Sequence, residues 1–172
     1  MSWQDTLKND PAGAALIANQ VYAVNFIVDP TTWHQADIQP PLVWQSVKFL
    51  RAEKRNVPLV PGLYAFVVKI PVPGTPTHGW VMYIGQAGDG NSSNTLRSRF
   101  GDYLANKRTM KGRARVYFML NNWDTHLEFF FSPLPARKHE LEQLEIRLLD
   151  AFRPPFTDRT YSATYMSPSH AF

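Results

Sequence analysis

The sequence predicts a mixed α/β domain in which helices cover a small, mostly antiparallel sheet. Two apolar runs of strand character, residues 63–68 and 80–84, flank a stretch rich in proline and glycine. Such a stretch cannot continue a strand, so the two runs are predicted to form a β-hairpin. Apolar residues at helical spacing then predict one helix from Leu96 and a longer one that ends at Phe152.

Composition is that of one folded domain. The 172 residues are 44% apolar and 19% charged, and this length is enough to bury a core. The absence of cysteine excludes disulfides and thiolate metal sites. No stretch is long and apolar enough to span a bilayer, and the N-terminus lacks a basic region followed by an apolar one. We therefore expect a cytoplasmic protein with no membrane partner.

The chain divides into three parts. Residues 1–60 are predicted to be an N-terminal extension that precedes the core or packs on it. A short helix from Pro11 and a second one from Pro41 to about Arg55 are expected there, since proline is favoured at the first helical position. Residues 61–157 form the core, and residues 158–172 form a C-terminal tail. The extension offers a surface for a protein partner.

The core contains two further predicted features. Apolar runs at 116–120 and 127–131 flank a polar turn, which favours a second hairpin. In the helix from Leu96, the residues at 96, 100 and 104 form one buried stripe at about 100° per residue. Arg99 and Tyr103 lie on one edge of that stripe, toward whatever it packs on.

Positive charge is concentrated between residues 97 and 115. This segment contains seven cations and one acid, Asp102, an excess of +6 in a chain whose net charge is +4. The segment has two interpretations, a solvated surface or a phosphate-binding face, and charge alone does not separate them. The cations are Arg97, Arg99, Lys107, Arg108, Lys111, Arg113 and Arg115.

Glu145 is the unusual residue of the long helix. At about 100° per residue it falls inside the apolar stripe that contains Leu141, Leu144 and Leu148. A carboxylate on a packing face is costly unless it is paired, protonated or bound to a cation. Two interpretations remain open: a buried salt bridge to a nearby arginine, or a ligand for one divalent cation.

Taken in order, these segments resemble the GIY-YIG nuclease family. The matching pieces are Gly62-Leu63-Tyr64, Tyr83-Ile84-Gly85, the helix segment 96–103, Glu145 and the stop at 153–156. Each piece is short, but all of them occur in the family's order and on the expected elements. The resemblance covers residues 62 to about 157. It implies metal-dependent hydrolysis of nucleic acid, most often DNA.

The resemblance also implies a role for each matching residue. Tyr64 is expected to deprotonate the attacking water, and Tyr83 to hold a phosphate oxygen or a water on the metal. Arg99 is expected to contact the scissile phosphate, with Tyr103 beside it. Glu145 is expected to be the carboxylate ligand of one Mg²⁺ or Mn²⁺ ion. Because tyrosine has a pKa of about 10, a cation near the base must lower its pKa.

Two positions depart from the family pattern. Many members have lysine where this chain has Gln86, and asparagine where it has Thr157. Both residues are still expected at the substrate, with Tyr103 and a basic set that supplies affinity for the nucleic acid, namely Arg97, Lys107, Arg108, Lys111 and Arg113. The alternatives are a nucleic-acid-binding module that does not cleave, and a non-nuclease domain in which Glu145 is salt-bridged.

Overall fold

An antiparallel sheet with helices on both faces confirms the predicted fold class. The structure is a computed structural model. It describes residues 5, 9–10, 30–36, 38–39, 41–71, 73–76, 78–88, 94–109 and 113–157. The helix predicted from Pro11, the tail 158–172 and Lys111 lie outside the described residues. Within them, the strand order is β1-β4-β2-β3.

Ten elements follow one another along the described chain. Four are strands, four are α-helices and two are short 3₁₀ segments. In chain order they are α1 (Pro30–Gln35), β1 (Gln45–Lys48), a 3₁₀ segment (Arg51–Asn56), β2 (Gly62–Val68), β3 (Trp80–Ala87), α2 (Leu96–Thr109), α3 (Ala114–Asn122), a 3₁₀ segment (Asp124–His126), β4 (Leu127–Pro133) and α4 (Lys138–Phe152).

The predicted hairpin is present as β2 and β3. Tyr64 pairs with Gly85 and Phe66 with Tyr83, and the register shifts just after Phe66. Strand β2 is buried along its whole length, since it lies between β3 and β4 and is covered on both faces. Alternate residues of a strand point to opposite faces, so Tyr64 and Phe66 belong to one core while Leu63 belongs to the other.

The helix predicted from Pro41 to Arg55 is wrong. Residues Gln45–Lys48 form strand β1, which pairs antiparallel with β4, and a 3₁₀ segment follows at Arg51–Asn56. The apolar residues that suggested a helix face do not form one, because Val43 and Leu50 are largely exposed. The unpaired edge of β4 decides the outcome, since ladder hydrogen bonds outweigh a weak local preference. Part of the predicted extension thus belongs to the sheet.

The strand predicted at 116–120 is also wrong. These residues lie in helix α3, and Val116, Met119 and Leu120 are its buried residues. Their spacing is that of one helix face, and a short apolar run does not by itself distinguish a strand from a buried helix. The strand predicted from Leu127 is confirmed as β4, but its partners are β1 and β2.

The sheet separates two cores. Helices α2 and α3 cover the face that carries Tyr64, and α4 covers the other face. The predicted stripe of α4 is confirmed, with Leu141, Leu144 and Leu148 buried. The helix ends as predicted, at Arg153 in the left-handed conformation followed by a proline. Among the described residues, no helix has the length and apolar character needed to cross a membrane.

Candidate functional site

Tyr64 and Tyr83 lie side by side on the same face of the hairpin, as predicted. Their ring centroids are 6.2 Å apart and the rings are within 21° of parallel. Both side chains are buried in the core that α2 and α3 cover. Cross-strand register places them there, because Tyr64 pairs with Gly85 and Tyr83 is two residues back along the same strand.

The two motif glycines are required by close contacts. A Cβ on Gly85 would lie 2.5 Å from the Tyr64 hydroxyl oxygen, so only glycine lets that ring lie over β3. A Cβ on Gly62 would lie 2.3 Å from the backbone carbonyl oxygen of Ser132 on β4. Both distances are below any ordinary contact, and each glycine therefore positions the hairpin and its tyrosines.

Helix α2 adds a third tyrosine. The hydroxyls of Tyr64 and Tyr103 share a buried hydrogen bond of 2.9 Å. The Tyr103 hydroxyl also interacts with that of Tyr83, with ring centroids 6.0 Å apart. Three phenol groups from two strands and one helix therefore converge at one point. The resemblance implies a place for Tyr103 at the substrate, but it does not give the contacts of Tyr103 with the two strand tyrosines.

Arg113 lies at the tyrosines, a place that the sequence does not indicate. Its guanidinium donates a 3.1 Å hydrogen bond to the Tyr83 hydroxyl oxygen and lies 5.9 Å from the centre of that ring. The sequence predicts Arg113 only as one of a basic set that supplies affinity. It instead comes immediately before α3, so a helix at 114–122 is what brings this cation to the tyrosines.

A cavity of about 150 Å³ lies beside these groups. Arg99 of α2 and Arg113 both line it, together with Tyr103. The Nε atom of Arg99 is buried and has no hydrogen-bonding partner among the described residues. The carboxylate of Asp102 is 3.9 Å from Arg99 in a largely exposed pair, which contributes little. The cavity thus presents two guanidinium groups, a phenol and the carboxylate of Asp102 to whatever enters it. The other lining residues are Asn106 and Val116.

Burial raises the pKa of Tyr64 well above its ordinary value, and the neighbouring Tyr83 raises it further. The hydrogen bond from Tyr103 and the charge of Arg99 lower the pKa, but by less than burial raises it. Burial likewise raises the pKa of Tyr103. Among the described side chains, burial therefore outweighs the effect of Arg99 on the pKa of Tyr64. The lowering of that pKa by a bound metal stays a prediction.

Glu145 is buried on α4, which covers the other face of the sheet. Its side chain is 4% exposed, so its predicted place inside the apolar stripe of α4 is confirmed. Its charge makes a minor contribution to the raised pKa of Tyr64. Helix α4 packs on β3, the edge strand that carries Tyr83. No group of three or more His, Cys, Asp or Glu side chains occurs among the described residues.

The two positions that depart from the family pattern are both buried polar groups. The Oε1 atom of Gln86 and the Oγ1 atom of Thr157 have no hydrogen-bonding partner within the described ranges. Gln86 lies on the α4 side of β3, opposite to Tyr83. Thr157 follows Phe156, whose backbone N–H donates to the Met82 carbonyl. Such unpaired oxygens at a site are typical of groups that await a ligand or ion.

The basic segment is not one surface. Arg97 donates to the backbone carbonyls of Val57 and Arg55, at 2.6 Å and 3.0 Å, and so anchors the start of α2. Lys107 pairs with Asp124. Arg108 lines a second cavity that does not contain Arg99. The predicted substrate contacts therefore do not lie together. Arg99 and Arg113 lie at the tyrosines, and Arg97 and Lys107 make structural contacts. Arg108 lies at the second cavity.

Comparison of the chain with family models, curated proteins and solved structures finds no match.

Proposed function

We propose that this protein is a metal-dependent endonuclease of the GIY-YIG type that hydrolyses phosphodiester bonds in DNA. The observation that supports it best is the convergence of groups from separate elements. Two strand tyrosines, Tyr103 and Arg99 of α2 and Arg113 before α3 meet at one cavity, and a buried carboxylate of α4 acts electrostatically on Tyr64 from the other face of the sheet. Phosphodiester hydrolysis needs a proton acceptor, positive charge on the phosphate and a site for a cation, and these groups supply all three.

Arg99 and Arg113 hold the phosphate. Both line the 150 Å³ cavity, and about 10–15 Å³ of such space holds one water, so a phosphate group and its nearby waters fit. Guanidinium groups bind phosphate oxygens through two parallel hydrogen bonds. Because negative charge grows on those oxygens in the transition state, the two arginines stabilise it more than they stabilise the ground state.

Tyr83 is the proton acceptor that the geometry supports best. The guanidinium of Arg113 contacts its hydroxyl oxygen and stabilises negative charge there. A water attacks phosphorus, its proton passes to the Tyr83 oxygen in its phenolate form, and the sugar oxygen leaves with the electrons of the broken P–O bond and takes up a proton from solvent. The Tyr103 hydroxyl contacts the Tyr83 oxygen and orients it, and Tyr64 positions Tyr103 through their shared hydrogen bond. This reverses the order of the two tyrosines expected from the sequence.

The residues at the site fit a hard divalent cation such as Mg²⁺ or Mn²⁺. Glu145 is a buried carboxylate, and the unpaired oxygens of Gln86 and Thr157 are hard donors as well. Glu145 would hold the ion, with the remaining ligands supplied by water and substrate. When bound, the cation supplies positive charge beside the phosphate oxygens and the departing oxygen.

A second candidate function is a DNA-binding module that does not cleave. The raised pKa of Tyr64 and Tyr103 and the replacement of the family lysine by Gln86 favour it. A third is a non-nuclease domain in which Glu145 is part of a buried ion pair.

One experiment separates the three functions. The purified protein is incubated with supercoiled plasmid, single strands, duplexes and RNA, in each case with Mg²⁺, with Mn²⁺ and with chelator. Nicking that the chelator abolishes supports the endonuclease, whereas binding without nicking supports the DNA-binding module that does not cleave.

The two strand tyrosines should differ in their effect on the rate. We expect Tyr83→Phe to lower kcat by about 10²–10⁴-fold, the usual contribution of a general base. Tyr64→Phe removes one hydrogen bond of an orienting group and should cost only about tenfold. Both changes keep the ring, so circular dichroism and thermal melting should match the wild type. A larger loss of kcat for Tyr64→Phe than for Tyr83→Phe would make Tyr64 the proton acceptor.

Arg113 and Lys107 make a matched pair of cations. Arg113→Gln should lower kcat by about 10²-fold, because it removes a charge at the phosphate and at Tyr83. Lys107→Gln breaks a partly exposed ion pair and should change kcat by no more than about twofold. Single-turnover rates at saturating substrate measure both. Equal single-turnover rates for the two variants would mean that Arg113 contributes to affinity alone.

A further inference from the structure

A second cationic cavity lies across helix α2 from the catalytic one. Its volume is about 280 Å³, and Arg51, Lys54 and Arg108 line it together with Gly101, Leu104 and Ala105 of the helix. No acidic residue is among its lining residues, and the salt bridges of the described chain involve none of its three cations. The two basic side chains from the 3₁₀ segment and the one from α2 therefore concentrate positive charge in one concave surface.

Gly101 lets Lys54 lie close to helix α2. A Cβ at Gly101 would lie 2.8 Å from the Nζ atom of Lys54, so the ammonium group rests directly against the helix backbone. Glycine is unfavourable inside a helix relative to alanine. Here it allows the ammonium group of Lys54 to line the same cavity as Arg108.

The two cavities occupy opposite flanks of α2. With Arg99 at zero and about 100° per residue, Arg108 falls at about 180°. Between the two flanks, at about 240–300° on the same wheel, lies a ridge of side chains. Its residues are Ser98, Asp102, Ala105 and Thr109. Asp102, Ala105 and Thr109 are exposed. A helix with small residues on its outward ridge and cations along both flanks is thus presented to solvent.

We propose that α2 lies in the major groove of duplex DNA, with its two flanks on the phosphates of opposite strands. A helix with side chains is about 10–12 Å wide, and the major groove of B-DNA is about 12 Å wide. Arg99 and Arg113 hold the strand that is cut, and Lys54, Arg51 and Arg108 hold the strand across the groove. This inference rests on the proposed function. It adds that the substrate is duplex DNA and that the protein also contacts the strand that is not cut.

The ridge fits base edges better than phosphates. Asp102 lines the catalytic cavity beside Arg99, and in the major groove its carboxylate can also accept a hydrogen bond from the cytosine amino group. Ala105 and Thr109 are small enough to approach the bases and to contact a thymine methyl. Double-stranded RNA has a deep, narrow major groove that side chains cannot read, so the same surface excludes it.

The first test compares two double variants of equal charge change. Lys54→Gln/Arg108→Gln removes cations of the second cavity, whereas Lys138→Gln/Arg147→Gln removes two exposed cations of α4 on the far side of the sheet. Binding of a 20-base-pair duplex is measured against salt in the Glu145→Gln background, which prevents cleavage. The first pair should lower the slope of log affinity against log salt by about 1.8, or 0.9 per lost phosphate contact. The control pair should leave the slope unchanged.

The second test locates the groove. Guanine N7 lies in the major groove, so the bound protein should protect it from methylation by dimethyl sulfate. A duplex RNA of the same sequence should bind at least about tenfold more weakly. Absence of N7 protection, equal slopes for the two double variants, or equal binding of duplex RNA would each overturn the inference.

These outcomes separate the inference from the proposed function. Duplex cleavage with no effect of Lys54 and Arg108 would refute the groove placement and leave the endonuclease standing. The wild-type chain could also fail to cleave while guanine N7 is protected and the double variant lowers the salt slope as expected. That result would refute the endonuclease and support the placement of α2 in the major groove. Thermal melting of each variant excludes unfolding as the cause.

Discussion

Replacing Glu145 by glutamine should abolish metal-dependent cleavage while leaving the fold intact. Glutamine keeps the shape of the side chain but removes the charge that would hold a divalent cation. The rate should fall by at least about 10²–10³-fold, as when a group that stabilises transition-state charge is lost. Plasmid nicking against Mg²⁺ and Mn²⁺ concentration measures it, and thermal melting reports the fold.

Glu142→Gln is the matched control. Glu142 is three positions before Glu145 on the same helix, lies on the edge of the apolar stripe and is only partly buried. Its replacement makes the same chemical change and should leave nicking unaltered. If Glu145→Gln cleaves at the wild-type rate, Glu145 is a structural carboxylate, and the domain in which it is merely paired becomes the better interpretation.

Replacing Arg99 by alanine should lower the cleavage rate by about 10²–10³-fold. Its guanidinium lines the 150 Å³ cavity, and its Nε atom has no hydrogen-bonding partner among the described residues, so it is free to donate to a phosphate. Arg99→Lys should recover only part of the rate, because an ammonium group cannot make the two parallel hydrogen bonds of a guanidinium.

The effect of Arg99 should appear in kcat rather than in affinity alone. An interaction that strengthens in the transition state lowers kcat and kcat/KM together when it is removed. Arg115→Ala serves as the control, since Arg115 is exposed on α3 and does not line the cavity. A variant with raised KM and unchanged kcat would make Arg99 a binding residue and would weaken the catalytic assignment.

Local patterns in the sequence determined the hairpin and the two long helices. In each, the signal lies within one element: strand residues broken by proline and glycine, or apolar residues at helical spacing. The burial of Glu145 could be predicted for the same reason, because its angle relative to Leu141 and Leu148 depends only on the helix that carries them. Candidate residues at 64, 83, 99 and 145 came from the resemblance to a known motif order.

Only the tertiary structure decided the identity of the elements whose local signal is ambiguous. Residues 45–48 form a strand because β4 has an edge to pair, and residues 116–120 form a helix because α3 can bury one face against the core. Both decisions depend on partners far along the chain. A pattern within one short segment carries no information about such partners.

The site shows the same division between local and long-range information. Tyr64 and Tyr103 are 39 positions apart, and Arg113 is 30 positions from Tyr83. Their contacts exist because α2 and α3 pack on the same face of the sheet, and no spacing rule relates the residues in sequence. Burial by that packing also raises the pKa of Tyr64 against the opposing effect of Arg99. Residue types could therefore be predicted from the chain, whereas their distances, and with them the division of roles between the tyrosines, depend on how the helices pack.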